Sequence, residues 1–85
     1  MINNVILIGH FKGFGDNDKL LLKTETLGTE QIIKINIASE LKNKIESFIK
    51  DNDVIGIKGY IGLDDVNNTI IIATKISFLS KEKNG

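Results

Sequence analysis

Residues 54–63 read VIGIKGYIGL, and this stretch decides the fold that the sequence predicts. Apolar side chains at positions 55, 57, 61 and 63 alternate with Lys58 and Tyr60, which indicates a half-buried strand whose isoleucines and leucine face inward. Glycines at 56, 59 and 62 weaken a flat strand but permit the bending or bulging that closes a small barrel. The stretch therefore predicts one strand of a small β-barrel.

Three strands are predicted upstream of this stretch. The first, residues 4–12, is apolar and β-branched at its start, which is typical of a strand buried on both faces. Turn residues between 13 and 18 separate it from a second strand at 19–27. After a turn at Gly28 and Thr29, residues 31–38 alternate. Their pattern predicts a half-buried third strand with Ile33, Ile35 and Ile37 inward and Lys34, Asn36 and Ala38 outward.

One helix is predicted between the third and fourth strands. It covers Glu40 to Lys50 with Ser39 as its cap, and its apolar positions fall at i, i+4, i+7 and i+8, namely Leu41, Ile45, Phe48 and Ile49. A hairpin turn at residues 64–68 leads to a fifth strand at 69–79, on which Phe78 has the inward register. Phe48 and Phe78 are thus expected in the core.

Three strands, one helix and two strands are the element order of the OB-fold, a five-stranded, partly open Greek-key barrel. We therefore predict a mainly β protein, an OB-fold barrel over residues 1–80 with one helix between strands 3 and 4, and a disordered tail at 81–85.

Composition narrows the class of protein. The 85 residues include no cysteine, and eleven lysines balance eleven acidic residues, so any attraction to nucleic acid must be local. The longest apolar run, Val5 to Ile8, is far too short to cross a bilayer, and no secretory signal is visible. We expect a cytoplasmic protein without membrane contact. Since a domain of this size has a modest core, we also expect a homo-oligomer.

The sequence does not offer the set of residues that a catalytic or metal-binding site requires. His10 is the single histidine, and with no cysteine a transition-metal site lacks its usual ligands. Residues 16–18 begin like a calcium loop, but the glycine and glutamate that such a loop requires do not follow. No nucleophile, base and orienting group can be assembled. We predict a binding module, not an enzyme, with no cofactor, no metal and no small-molecule substrate.

Four segments resemble the bacterial single-stranded DNA-binding protein family. Asn3 to Gly9 resembles its opening strand, Leu41 to Ile49 its helix, Val54 to Ile61 its glycine-containing fourth strand, and Ile76 to Leu79 its closing strand. The chain departs from the family in having no tryptophan and no acidic, phenylalanine-ended tail. The resemblance implies single-stranded DNA as the partner, and a homodimer or homotetramer formed through the first strand.

An OB-fold binds nucleic acid on the face of strands two and three, between the loop after strand one and the loop before strand five. Lysines there would contact phosphates, and Lys34 matches a basic DNA-contacting position of the family, although any solvated strand also carries outward lysines. Aromatic rings outside the core would stack on bases, but Phe11 and Phe14 are also suited to packing beneath the first loop. His10 follows Gly9 at a position that is polar or basic in the family. The predicted nucleic-acid-binding residues are His10, Phe11, Lys12, Phe14, Lys34, Asn36, Lys58 and Tyr60.

Two functions follow from these observations. The first is sequence-independent binding of single-stranded DNA in replication, repair or recombination, which the lysines and outward aromatic rings favour. The second is an OB-fold protein-interaction or primosome-like accessory module with little DNA affinity. Neutral charge, the missing tryptophan, and Asp64 and Asp65 in place of the family's basic residues favour the second.

Overall fold

The chain folds into a closed β-barrel of five strands in the order β1–β2–β3–β5–β4. The structure is a computed structural model that describes residues 3–81. The elements are β1 (Val5–Phe14), a short 3-10 turn (Asp16–Asp18), β2 (Leu20–Thr26), β3 (Thr29–Asn36), α1 (Ser39–Phe48), β4 (Val54–Leu63) and β5 (Thr69–Ser80). The predicted mainly β OB-fold with one helix between β3 and β4 is confirmed. Of the tail predicted at 81–85, all but Lys81 lies outside the described residues.

The ends of α1 differ from the prediction. Ala38, not Ser39, is the N-cap, and it makes no side-chain capping bond, so the predicted Ser39 cap is wrong. The helix ends at Phe48 because the chain turns back immediately after it. The Asp53 carboxylate accepts a hydrogen bond from the Lys50 amide over 2.8 Å, and Asn52 takes a positive φ of 71°. Asparagine tolerates that left-handed conformation better than most residues do.

The core lies inside the barrel and against α1. Its fully buried side chains come from β2, β3 and β4, namely Leu20, Leu22, Ile35, Ile55 and Ile57. The predicted inward register of β3 is confirmed, because Ile33 and Ile37 pack against this core while Lys34 is exposed.

Four side chains expected to be inward are exposed. Ile61 and Leu63 lie on the inward register of β4, but near the end of that strand they are 44% and 63% exposed. Phe48 is 76% exposed because it ends the helix between Ile45 and Ile49, whose side chains occupy the buried face. Phe78 is 48% exposed near the end of β5. Expecting both phenylalanines in the core was therefore wrong.

Gly59 allows β4 and β5 to approach closely where the ladder is irregular. The pairing register between the two strands shifts between Lys58 and Gly59. A Cβ added at Gly59 would collide with the carbonyl oxygen of Ile72. Gly59 thus permits the close approach of the two strands, while the extra residue at the shift, Thr74, belongs to β5.

The two halves of β1 have different neighbours. Val5 to His10 pair with β4, whereas β2 pairs with β1 at His10, Phe11 and Phe14. Among the described residues, the first half of β1 thus has a ladder partner on one side. Ile6 and Ile8 on its outer face are 71% and 61% exposed, so the expected burial on both faces does not occur within one chain.

Candidate nucleic-acid interface

The outer face of β2 and β3 carries Lys34 at its centre. Lys34 pairs across the ladder with Leu21, and the next residue, Ile35, is fully buried on the inner face. Because side chains of a strand alternate between faces, Lys34 projects outward, where it is exposed. The predicted outward register of Lys34 is confirmed.

A row of three outward side chains continues this face across the barrel. Asn36 of β3 pairs with Ile72 of β5, and Ile72 pairs with Tyr60 of β4. With neighbouring strands about 4.8 Å apart, Asn36 and Tyr60 stand roughly 10 Å from each other. Tyr60 is 41% exposed, so part of its ring is free to contact a ligand. The Asn36 Oδ1 is buried and accepts no hydrogen bond among the described residues.

The two loops expected to flank an OB-fold ligand border this face. Gly15, in the loop between β1 and β2, lies so close to Leu21 that a Cβ on it would stand 3.2 Å from the leucine Cδ2. The first loop therefore lies against the outward Leu21 of this face. Asp64 begins the loop between β4 and β5, which follows the last pair of that ladder, Leu63 with Thr69.

Asp64 organises its loop from within. One carboxylate oxygen accepts hydrogen bonds from the Asn68 amide over 2.8 Å and from the Val66 amide over 3.0 Å. These bonds, the one from Asn68 first, lower the pKa of Asp64 below its ordinary value of 3.8. The sequence shows this aspartate as a negative charge in the loop before β5, whereas the structure shows that it also shapes the turn.

Positive charge on the face is limited. Lys23 forms an ion pair of 3.8 Å with Glu30, and Glu30 stands directly opposite Glu25 at the end of the β2–β3 hairpin. The far end of the hairpin is thus acidic. Within the described residues of this face, Lys34 is exposed and forms no ion pair, whereas Lys23 is paired. The attraction of the face for phosphate is therefore local and modest.

Phe11 is a core residue. Its side chain is 5% exposed and packs with the buried residues of the barrel, so its ring is closed to a base. Of the two roles that the sequence leaves open for Phe11, packing is the one the structure shows. The reason is register, because Phe11 pairs with Leu22, which is fully buried.

Phe14 and Lys12 are held on the helix side of the barrel. The Phe14 ring meets Phe11 edge-to-face at 5.5 Å and lies 5.4 Å beneath the Lys42 ammonium. Lys12 donates a hydrogen bond of 2.7 Å to the Asn52 Oδ1 and forms an ion pair of 3.4 Å with Asp51. Neither side chain lies with Lys34 and Tyr60, because the end of β1 faces the turn that follows α1.

His10 and Lys58 project from two further parts of the barrel. His10 lines a hollow of about 300 Å³ with Lys23, Glu25 and Glu30, where β1 leaves β2. Lys58 is exposed on the outer face formed by β1, β4 and β5, two residues before Tyr60. Directly opposite it on β5 stands Lys75. Sequence reasoning missed Lys75, because the register across the bulge in this ladder cannot be read from the sequence.

Residues 3–81 contain neither a metal-binding cluster nor a membrane-spanning helix. No group of three or more histidine, aspartate or glutamate side chains there is arranged to hold a metal ion. No helix in that range is long and apolar enough to cross a membrane.

Several solved structures share this architecture. The mitochondrial single-stranded DNA-binding protein Rim1 of S. cerevisiae superposes with a TM-score of 0.77 over 99% of this chain and 100% of its own, at 11% identity. The chain has the OB-fold of single-stranded DNA-binding proteins. The dimeric N-terminal domain of PriB from Thermoanaerobacter tencongensis matches with a TM-score of 0.68 at 17% identity, covering 93% of this chain and 98% of that one. The SSB domain of a Synechococcus protein matches with 0.66 at 11% identity, covering 91% and 96%.

Similarity at the level of sequence is not detected. No protein-family model matches the chain, and no curated protein matches it significantly. At identities of 9–17%, these superpositions show the shared fold alone. Any functional argument must therefore come from the residues of this chain.

Proposed function

We propose that this protein binds single-stranded DNA without sequence preference on the outer face that carries Lys34, Asn36 and Tyr60. The observation that carries the proposal is the row from Asn36 through Ile72 to Tyr60, which continues the Lys34 face between the two loops. It combines a cation with a partly exposed aromatic ring, the two elements of a single-strand site.

Each side chain has a distinct role in this proposal. Tyr60 stacks on a base, a contact that is insensitive to base identity because every base has a π-face. Lys34 neutralises a phosphate, which is equally insensitive to sequence. Asn36 is half-buried between them and supports the row, because its Oδ1 is closed to solvent. His10 lies at one flank of this face and extends the proposed contact, whereas Lys12, Phe11 and Phe14 act through the fold. Lys58 lies on the neighbouring outer face of β1, β4 and β5.

A titration of labelled oligo-dT, followed by fluorescence anisotropy at two salt concentrations, tests the proposal. Each phosphate contact on a single strand contributes about −0.7 to the slope of log affinity against log salt. Lys34→Ala should therefore weaken binding and flatten the slope by about 0.7. Lys44→Ala removes the same charge from an exposed position on α1 and is the matched control. No binding of the wild-type protein even at low salt would reject the proposal.

We further propose that the protein acts in the cytoplasm as a homodimer or larger homo-oligomer, in replication, repair or recombination. The first half of β1 supports the assembly, because its backbone is paired on the β4 side and its outer isoleucines are exposed. An open strand edge of this kind favours pairing with another strand. In this proposal two copies join through their β1 edges.

A second candidate function is a protein-interaction or primosome-like accessory module with little DNA affinity. The acidic end of the β2–β3 hairpin, where Glu25 faces Glu30, favours it, because that charge repels phosphates at one border of the face. The same titration separates the candidates. A folded, oligomeric protein that does not bind oligo-dT would reject the first candidate and favour the second.

A further inference from the structure

The outer face of β1, β4 and β5 combines two features that the proposed DNA site does not use. Ile6, Ile8 and Leu79 are 71%, 61% and 50% exposed on it. Lys58 and Lys75 stand directly opposite each other on β4 and β5, and Lys58 also pairs with Ile6. We name this set of five residues the lysine–isoleucine face. It is apolar, exposed and positively charged.

No acidic residue lines the cavity beside the lysine pair. The residues lining the shallow cavity on this face, all of them described, are Ile6, Ile8, Gly56, Ile57, Lys58, Lys75, Ser77 and Leu79, and none is acidic. Like charges directly opposite on neighbouring strands destabilise a sheet. A pair of this kind in an exposed apolar setting is suited to a ligand that supplies negative charge.

A second copy of the chain fits this face poorly. In a two-fold symmetric contact the same patch meets itself. Such a contact centred on this face would bring two lysine pairs together in a dry interface, and burying unpaired charge is costly. Joining two chains through their β1 edges leaves the outer face of the sheet open, so it is available in the proposed dimer as well.

A DNA backbone also fits it less well than a protein segment does. Phosphates are satisfied by the lysines, but three exposed aliphatic side chains offer no aromatic ring on which bases stack. A segment that carries carboxylates among aliphatic side chains satisfies both features at once.

We propose that the lysine–isoleucine face docks an acidic, aliphatic segment of a partner protein. Its carboxylates pair with Lys58 and Lys75, and its aliphatic side chains pack on Ile6, Ile8 and Leu79. The interaction does not depend on DNA binding, and it holds under either function considered above.

The test uses a fluorescein-labelled ten-residue peptide that alternates aspartate with leucine, titrated with the full chain and followed by anisotropy. Binding should weaken by about tenfold or more in Lys75→Glu, because a desolvated charge pair becomes a repulsion. The same reversal at Lys44→Glu on α1 is the control and should leave binding intact. A peptide that alternates lysine with leucine should bind Lys75→Glu better than it binds the wild-type protein.

Further measurements distinguish the proposed segment from the other possible occupants of the lysine–isoleucine face. A peptide alternating aspartate with serine should bind at least about tenfold more weakly, because it lacks the aliphatic contacts. Leu79→Ser, whose fold is checked by circular dichroism, should weaken binding of the aspartate–leucine peptide and leave oligo-dT binding unchanged. Three results would each overturn the proposal. They are equal binding of the aspartate–leucine and aspartate–serine peptides, competition by oligo-dT for the face, and a tetramer that Ile8→Ser splits into dimers.

Discussion

Lys42 of α1 donates a hydrogen bond to the Asp18 carboxylate over 2.7 Å, and this contact fastens the loop between β1 and β2 to the helix. The same ammonium lies over the Phe14 ring and 3.7 Å from Glu46. The hydrogen bond from Lys42 to Asp18 is the main cause that raises the pKa of the lysine. The loop is therefore docked on α1 and does not arch freely over the Lys34 face.

Replacing Lys42 by Ala should release this loop without unfolding the barrel. The Gly15 amide, which donates to the Lys19 carbonyl over 2.8 Å, should exchange with solvent faster, because the loop loses its anchor. Hydrogen exchange followed by NMR measures this. Lys44→Ala, on the same helix, is the control, and equal exchange in both variants would show that Lys42 does not hold the loop.

Phe11→Ala should destabilise the protein by about 3–5 kcal/mol, because it leaves a cavity where the ring packs in the core. Urea denaturation measures the loss. Phe48→Ala removes the same ring from a position that is 76% exposed and should change the stability far less. Similar losses in the two variants would contradict the packing described for Phe11.

Tyr60→Ala should weaken oligo-dT binding by about 1–3 kcal/mol, the usual contribution of one ring stacked on a base. Its melting temperature should change little, because the side chain is 41% exposed. Tyr60→Phe keeps the ring and should bind nearly as the wild-type protein does. A large fall in melting temperature with unchanged binding would place Tyr60 in a structural or subunit contact instead.

Asp64 should titrate below 3.8 in the folded protein, because its carboxylate accepts two amide hydrogen bonds. A pKa lowered on folding means that the carboxylate stabilises the folded state above pH 3.8, and that this contribution is lost as the pH falls through the lowered value. Carbon NMR of the carboxyl, with the Val66 and Asn68 amides, measures the midpoint. A midpoint at or above 3.8 would contradict the turn geometry.

Light scattering at micromolar concentration should give at least twice the 9.4 kDa mass of one chain. The amides of Val5 to Gly9 that point away from β4 should be protected from exchange in the oligomer and lose that protection on dilution, because the partner strand then dissociates. A mass of 9.4 kDa at all concentrations would contradict assembly through β1.

The sequence by itself determined the elements and their order. Alternation fixed the inward set of β3 around Ile35, and the glycines of β4 anticipated the close approach to β5 at Gly59, because both patterns are local and follow from backbone geometry. Local patterns also placed Lys34 and Tyr60 on the outer surface.

The tertiary structure alone decided which of those side chains meet. Phe11 is buried and Phe48 exposed because of the partners that each finds across the barrel and along α1, which no spacing encodes. Lys12 turns to Asp51, 39 residues away, and Lys75 faces Lys58 across a ladder whose register a bulge has shifted. Strand order, register and the docking of loops bring distant residues together, and a single sequence specifies them through packing that a local pattern does not show.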